Sequence, residues 1–526
     1  MRNKKLALML LLLASHVMPE LSRADNLNST LVQPEQKRRI SQIEFEANQQ
    51  ISRAELEQLA SPWLNQLCGQ EELEDLRLRI TRHYVQRGYI NSGALLVPAS
   101  AEDIQAGRQR LRLVEGRITT IQIKGLGDLR SSYIQQRLPA LDSVLHLPSL
   151  QADYQNLLQD PLFSRLQTRI LPGQQAGSAI LDLEIERAPS YGLQLTFDNF
   201  RAPAVGEAGI TMSGWKRNLS GYGDILEASL GLSQGAYPVS LSWSLPINRQ
   251  GSFVRVRLDQ GDTRIVSENL KEIDIQSKSS GWELAYVHKL PLTASWQNEL
   301  GLSWGQRKNQ NSLLGMPFSF SPGETDGYAQ IQRLQVFHDT RWFAAAHAWA
   351  LHNTLIFGRT HGNAESKVES AEVGLPASTY KIWQGQLEYL WQVDQQRQFS
   401  AGLQWQWSPD RLLGLERYAL GGYRSIPGYR ENSVVADKGW QIHGRWQQAL
   451  ANPAWQWYLS GQAGYAQNQQ QAGQKLASLA AGWKWQSGRW QADLMYARRL
   501  TELATVNPGR YWQDHGIHLS LSYRVY

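Results

Sequence analysis

Apolar and polar residues alternate with period two through most of the chain after Tyr191. In 191–198, 399–407 and 515–526, every second residue is apolar and the residues between are polar or small. Successive side chains of a strand point to opposite faces, so each of these segments has one apolar and one polar face. We count sixteen such segments in 190–526, which predicts a large antiparallel β structure.

Two smaller units with a different pattern precede this region. Residues 38–118 have the order strand, helix, helix, strand, strand, and apolar residues recur at helical spacing from Leu73 to Tyr84. Residues 119–189 repeat this order with a similar length. The repetition predicts two tandem α+β domains.

From the fifth connection onwards, the connections between the sixteen segments alternate between long and short ones, and 408–439 is the longest. Outer-membrane barrels have short periplasmic turns and longer outer loops, and their strands are apolar on the lipid side. The barrel must close, because unpaired main-chain groups are costly in lipid. An even number of strands places both chain ends of the barrel, and the two small domains, in the periplasm. A soluble β-sandwich or propeller is the alternative, but it does not require the loop asymmetry.

Composition supports export to a membrane and excludes some functions. Trp and Tyr number 20 each against 11 Phe, and these two side chains suit water–lipid boundaries. A basic start and the apolar run 6–14 predict a signal peptide over 1–24, followed by a polar extension over 25–37. The single cysteine, Cys68, excludes an internal disulfide and a Cys-based zinc site, and we expect no metal. A net charge of +6 over 526 residues gives no indication of a nucleic-acid partner.

Several longer motifs connect the chain to a known family. They read ITRHYVQRGYI at 80–90, LRLVEGRI at 111–118, LLQDP at 157–161 and GGYRSIPGYREN at 421–432. With these residues the chain resembles the TpsB transporters of two-partner secretion, in the Omp85 superfamily, and its two small units resemble POTRA domains. The resemblance covers most of the chain. It implies two α+β POTRA domains, 38–118 and 119–189, followed by a 16-stranded antiparallel transmembrane β-barrel over 190–526.

The resemblance also implies a function and partners. The expected function is the secretion of a large cognate exoprotein, of adhesin or haemolysin type, which crosses the outer membrane in extended form. Outer-membrane lipid, the barrel-assembly machinery and periplasmic chaperones are further expected partners, and no cofactor is expected. In this family the extension, here 25–37, can form a plug helix, which Pro34 would limit.

The long loop 408–439 is expected to fold back into the barrel. Its tip residues are Arg424, Ile426, Pro427, Gly428, Tyr429 and Arg430. In the family, an arginine of this tip pairs with an aspartate of the barrel wall; here Pro427 and Gln462 occupy these two positions. Loss of both partners leaves no unpaired charge in the wall. Arg424 or Arg430 could then bind another wall group.

Two further sets of residues are candidate client contacts. A sheet edge of the first domain can accept a strand of the client, and the candidate residues beside it are Tyr84, Gly88, Tyr89 and Leu95. The alternative is that these side chains only pack the domain core. Four arginines, Arg255, Arg257, Arg445 and Arg524, alternate with apolar residues and are expected to face the barrel interior. Their alternative role is simple solvation of a polar wall.

Other functions remain open at this point. One alternative is an Omp85-type insertase, which usually has more than two POTRA domains. The other is a passive porin-like channel, which would not need POTRA domains. Enzyme motifs are poor, because the sequence has neither HExxH nor a Walker motif in the required context.

Overall fold

The computed structural model describes residues 37–525 except 48, 139–142, 268–269, 292, 294, 362–373 and 504–509. The predicted signal peptide and the extension up to residue 36 lie outside the described residues. The chain divides into two units between Ala188 and Pro189.

The first half of the amino-terminal unit is a three-stranded sheet with helices packed against it. Its elements are β1 (Arg38–Arg39), β2 (Gln42–Glu46), α1 (Arg53–Ala60), β3 (Leu67–Cys68), α2 (Gln70–Gln86), β4 (Gly93–Leu96), α3 (Ala101–Gln105) and β5 (Arg108–Val114). The sheet order is β2–β5–β4, with β2 parallel and β4 antiparallel to β5. Apolar residues of α2, including Leu76, Ile80 and Tyr84, are buried in one core with the sheet. The short helix α3 is not in the predicted order of elements.

The second half repeats this plan. Its elements are β6 (Arg117–Lys124), α4 (Ser131–Gln135), α5 (Leu147–Leu158), β7 (Phe163–Pro172) and β8 (Ser178–Arg187), and the sheet order is β6–β8–β7. Ile118 belongs to the core of this half. The sheet of the second half begins with β6 at Arg117, two residues before the predicted range 119–189.

The carboxy-terminal unit is a closed antiparallel barrel. Its sixteen long strands are β9 (Tyr191–Asp198), β10 (Gly209–Arg217), β11 (Ile225–Ser233), β12 (Ala236–Pro246), β13 (Phe253–Arg264), β14 (Gln276–Lys289), β15 (Trp296–Leu313), β17 (Tyr328–Phe343), β18 (His347–His361), β19 (Thr379–Gln392), β20 (Arg397–Trp407), β23 (Lys438–Ala449), β24 (Trp455–Gln467), β25 (Gln474–Ser487), β26 (Trp490–Arg499) and β27 (Ile517–Arg524). Three short strands lie in the connections: β16 (Met316–Pro317), β21 (Tyr418–Leu420) and β22 (Val434–Ala436). The barrel closes where β27 pairs with β9. The prediction of a 16-stranded barrel after two POTRA domains is confirmed.

Several strands extend beyond the predicted segments at the end that carries the long loops. The alternation predicts segments 294–305 and 252–259 for two of them, whereas β15 continues to Leu313 and β13 continues to Arg264. Most of the added residues are polar, so the alternation stops while main-chain pairing continues. Alternating hydrophobicity marks only the part of a strand that faces lipid.

The outer surface of the barrel has the composition that a membrane requires. Leucine and valine side chains are exposed in the middle of the strands, and exposed tryptophans lie towards both ends. Trp296, Trp455 and Trp490 begin their strands at the end with short turns, whereas Trp383, Trp407 and Trp440 lie near the long loops. These are the two aromatic belts expected at membrane interfaces. None of the described helices has the length and apolar character to cross a membrane.

Candidate functional site

The connection between β20 and β23 packs against the inner wall of the barrel. The strands β21 and β22 form a small hairpin in it, with the three register pairs Tyr418–Ala436, Ala419–Val435 and Leu420–Val434. Buried apolar residues of this connection pack with Ala466 of β24 and Leu476 of β25. Both wall residues alternate with outward-facing neighbours, so the connection lies inside the barrel.

The tip of this loop fits closely against β24 and β26. A Cβ atom on Gly464 would lie 2.8 Å from Ile426 Cδ1 and 2.9 Å from the main-chain Trp440 O, so the wall needs glycine there. Gly428 has φ +90°, and a Cβ added to it would lie 3.2 Å from Ala497 O. The Tyr429 hydroxyl donates to Thr501 O at 2.7 Å. Small residues on both surfaces thus allow the close approach of two backbones.

An ion pair holds the loop next to its tip. Arg430 Nε lies 2.6 Å from Asp514 Oδ1, and its Nη2 donates to Oδ2 at 2.8 Å. Asp514 is in a short 3-10 helix, Trp512–His515, directly before β27. The Asp514 side chain is 5% exposed and the Arg430 side chain is 19% exposed. Such bidentate pairs are strong and fix orientation. Arg424, the other candidate, is exposed.

The 3-10 helix also joins the first and last strands of the barrel. The buried Gln513 side chain donates to Asn199 O at 2.8 Å and to Arg201 O at 2.6 Å, both in the connection after β9. Its Oε1 accepts from the Glu431 N–H at 3.0 Å. The helix therefore contacts the long loop, the start of β27 and the end of β9. We call the contacts of Arg430, Asp514 and Gln513 the clasp.

The root of the loop has a second charged anchor. The carboxylate of Glu416, whose side chain is 2% exposed, lies 3.3 Å from Arg333 Nη1 on β17. Arg333 Nη2 also lies 3.7 Å from Glu283 on β14. Two charged contacts with different parts of the wall thus hold the loop.

Pro427 and Gln462 occupy the positions of the arginine–aspartate pair of the family, and other residues hold the loop tip in this structure. Gln462 donates to Ser460 Oγ at 2.8 Å and accepts from Ser478 Oγ at 3.3 Å, both on the wall. Pro427 is buried in the tip. Instead, Arg430 binds Asp514 of the 3-10 helix, and the Tyr423 hydroxyl donates to Asp493 of the wall at 3.0 Å.

Sequence reasoning missed the two acids that bind the loop, Asp493 of the wall and Asp514 of the 3-10 helix. Asp493 also accepts from Tyr458 at 2.7 Å, and it is an inward-facing acid between Ala492 and Leu494 on β26. Its place in the alternation could have identified it. Asp514 has no such signal, because it lies in a turn outside every alternating segment.

The four candidate residues of the first domain lie in different environments. Tyr84 is fully buried and donates to Glu115 at 3.1 Å; burial raises the pKa of this phenol. Gly88 O accepts from the Leu147 N–H at 2.9 Å, and the Tyr89 ring lies 5.0 Å from the His146 ring, so both contact the second domain. Leu95 is 41% exposed on β4, an edge of the first sheet.

The four candidate arginines lie at inward-facing positions of the barrel strands. Arg255 Nε donates to Ser244 Oγ at 3.2 Å, and Arg257 Nε lies 2.9 Å from Asp259 Oδ2. The guanidinium of Arg445 lies 4.5 Å from the Tyr458 ring centroid. Arg524 is exposed near the end of β27. Side-chain partners thus hold three of them against the wall.

This architecture is similar to that of known transporters. The family model described as haemolysin secretion/activation protein ShlB/FhaC/HecB matches residues 177–485, and the model described as POTRA domain, ShlB-type, matches 39–116. The outer membrane transporter CdiB of Dickeya dadantii (strain 3937) is 21% identical over 494 residues, 84% of this chain and 79% of that protein. The heme/hemopexin transporter protein HuxB of Haemophilus influenzae is 20% identical over 398 residues, 74% of this chain and 68% of that protein.

Solved structures agree in fold. CdiB from Escherichia coli superposes with a TM-score of 0.66 at 19% identity and covers 96% of this chain and 93% of its own. BamA from Haemophilus ducreyi lacking POTRA domains 1–3 gives a TM-score of 0.55 at 12% identity and covers 92% of this chain and 100% of its own. Because the first family model spans more than half of the residues, the chain belongs to the haemolysin secretion/activation family ShlB/FhaC/HecB and is an outer-membrane transporter of two-partner secretion.

Proposed function

We propose that this transporter secretes one cognate exoprotein of the TpsA type, which enters from the periplasm in extended form. The observation that carries the proposal is the closed barrel whose longest outer loop is anchored to its inner wall, preceded by two POTRA domains. A passive porin has no use for the two domains. The insertase alternative has less support, because the family match is to secretion proteins and the fold likeness to BamA is the weaker one.

The first POTRA sheet offers an edge that is partly occupied. On β4, the Ala94 N–H donates to Thr81 Oγ1 at 3.1 Å, so a client strand would have to displace a side chain of α2. Leu95, next to it, is exposed and offers an apolar contact. We therefore assign this edge a secondary role in binding by strand addition.

The second POTRA sheet offers a longer edge. β7 has ten residues, whereas β4 has four. Main-chain groups of a strand point alternately towards and away from its partner. Leu166 O points away from β8 and accepts from the Tyr154 hydroxyl at 2.6 Å, so Thr168 and Ile170 also direct their main-chain groups outward. We propose that the client adds a strand along 168–172.

The anchored loop is the proposed closure of the pore. The clasp near the tip and the ion pair of Glu416 with Arg333 at the root hold it to opposite parts of the wall. Arrival of the client at the POTRA edges would be followed by movement of the loop. No nucleotide-binding motif was found, so folding of the exoprotein outside is the proposed driving force.

Biogenesis supplies the remaining partners. The apolar outer face requires outer-membrane lipid. The last strand, β27, presents Ile517, Leu519 and Leu521 on that face and is the proposed signal to the barrel-assembly machinery, after delivery by periplasmic chaperones.

A gene deletion tests the function. Loss of this chain should remove one large protein from the culture medium and leave it in the periplasm, while the amounts of other outer-membrane barrels stay unchanged. A general decrease in barrel proteins would instead favour the insertase. Deletion of only 40–116 should give the same secretion defect while the barrel still migrates as a folded, heat-modifiable band.

A further inference from the structure

Five glutamines form two neighbouring rows on the inner wall, directly below the root of the long loop. Gln386, Gln404 and Gln441 are register partners on β19, β20 and β23; we call them the glutamine row. One position nearer to the loop, Gln384 is the register partner of Gln406, and its amide donates to Gln406 Oε1 at 2.7 Å. Three adjacent strands thus present uncharged amides side by side.

The amides of the glutamine row point into the barrel. On β20, Gln404 and Gln406 alternate with Trp405 and Trp407, and Trp407 is exposed on the outer surface. Gln386 and Gln404 are exposed on the inner side, and Gln441 is half-buried. Gln441 Nε2 donates to Gln404 Oε1 at 2.6 Å and Gln386 Nε2 donates to Glu388 Oε1 at 3.1 Å, so these bonds hold the row in order. The exposed amides of Gln386 and Gln404 keep further hydrogen-bonding capacity that faces the interior.

Gln406 shows what such an amide binds at this wall. It is buried, and its Nε2 donates to two main-chain carbonyls of the loop, Glu416 O at 2.8 Å and Asp437 O at 3.1 Å. The wall therefore already holds polypeptide main chain through a glutamine side chain. The glutamine row presents the same amide groups at the next inward-facing position towards the periplasm. There the amides face the barrel interior and not the loop.

A primary amide suits a polypeptide in transit. It has two N–H donors and a carbonyl acceptor, so it can bind both the carbonyl and the N–H of a peptide group. It carries no charge. It can pair with the main chain of any sequence, and each bond contributes little net free energy in contact with water, so binding stays reversible. The inward-facing residues Ser240 and Ser242 of β12 differ from the glutamine row, because they have short hydroxyl side chains instead of amides.

We infer that the glutamine row is a binding site for the main chain of an extended polypeptide as it passes through the barrel. The inference rests on the proposed secretion function and names the surface along which the client moves. Its ligand is defined by its extended, unpaired peptide groups and not by its side chains.

Current blockades in a planar lipid bilayer test the inference. The full-length protein is exposed on the POTRA side to a peptide of Gly, Ser and Asn of about 30 residues, roughly 100 Å when extended. The triple variant Gln386→Leu, Gln404→Leu and Gln441→Leu should shorten the mean blockade about tenfold, because several main-chain hydrogen bonds are lost. The control variant Ser240→Ala with Ser242→Ala should leave it unchanged.

The outcomes separate this inference from the proposed function. Equal blockade times in the wild type and the triple variant would refute the binding site while leaving transport intact. A wild type that shows no blockade at all would also refute the binding site, and the gene deletion would still decide the proposed function. If the triple variant is not heat-modifiable, Gln404→Leu alone should shorten blockades about threefold and Gln404→Asn should restore part of the time; no change in the single variant would also refute the site.

Discussion

Loss of the charged contact in the clasp should free the tip of the long loop. Removal of one partner from a fully buried ion pair costs about 3–5 kcal/mol. Because the Arg430 side chain is 19% exposed, solvent screens part of this interaction, and we expect about 2 kcal/mol for Arg430→Met. That free energy corresponds to an increase of about 30-fold in the local opening of the loop.

Hydrogen–deuterium exchange measures this opening directly. The peptide that contains Gly428 and Tyr429 should exchange faster in Arg430→Met and in Asp514→Asn. The double variant should resemble either single variant, because the second substitution removes a partner that is already lost. Arg424→Met is the matched control, since Arg424 is an exposed arginine of the same loop, and it should leave exchange unchanged.

Two results would refute this reasoning. Exchange in Arg430→Met that equals the wild type would show that the packing of the tip, and not the ion pair, holds the loop. Effects that simply add in the double variant would show that the two side chains act on the loop separately.

Three further predictions concern the wall and the POTRA domains. Gly464→Ala places a Cβ 2.8 Å from the loop tip and should lower stability by about 1–3 kcal/mol in a heat-modifiability assay, whereas Gly461→Ala, with 3.4 Å to its nearest neighbour, should be tolerated. Hydrogen bonds from the main chain and hydroxyl of Ser100 lower the pKa of Asp103 to about 2. The stabilisation is present above the unfolded pKa of about 3.9 and is lost as pH falls towards 2, so the protection of helix 101–105 relative to the intrinsic exchange rate should fall over that range, and much less so in Asp103→Asn. Thr168→Pro removes an outward N–H on the β7 edge and should reduce secretion while the barrel stays folded; unchanged secretion would exclude this edge.

The barrel was predictable because lipid imposes one rule on every strand. A residue such as Leu403 or Trp405 reveals its face from sequence alone, since its neighbours in the alternation are known. The rule ends where the strands leave the membrane, and there β13 and β15 continue beyond the prediction. The short helix α3 was missed for a similar reason, because five residues are too few to show helical periodicity.

The loop anchors could not be predicted in the same way. The two residues of the Arg430–Asp514 pair are 84 positions apart, and Asp514 lies in a turn without a periodic pattern. The resemblance indicated only two positions for a contact between the loop tip and the wall. Pro427 and Gln462 occupy these positions and cannot form an ion pair. The prediction that Arg424 or Arg430 binds another group left two candidates, and burial separates them in the structure.

The clasp also links the loop to the closure of the barrel. β27 and β9 share five register pairs, whereas β17 and β18 share fourteen. Beyond the last pair, one main-chain bond remains, from the Asn199 N–H to Leu519 O at 3.3 Å, and side chains add to it: Asn199 Oδ1 accepts from the Leu519 N–H at 2.8 Å, and Gln513 donates to Asn199 O. Arg430 binds the helix that carries Gln513, so movement of the loop must disturb this junction. Arg430→Met should therefore also speed exchange of the Leu519 amide, and protection equal to the wild type would show that the loop moves without the junction.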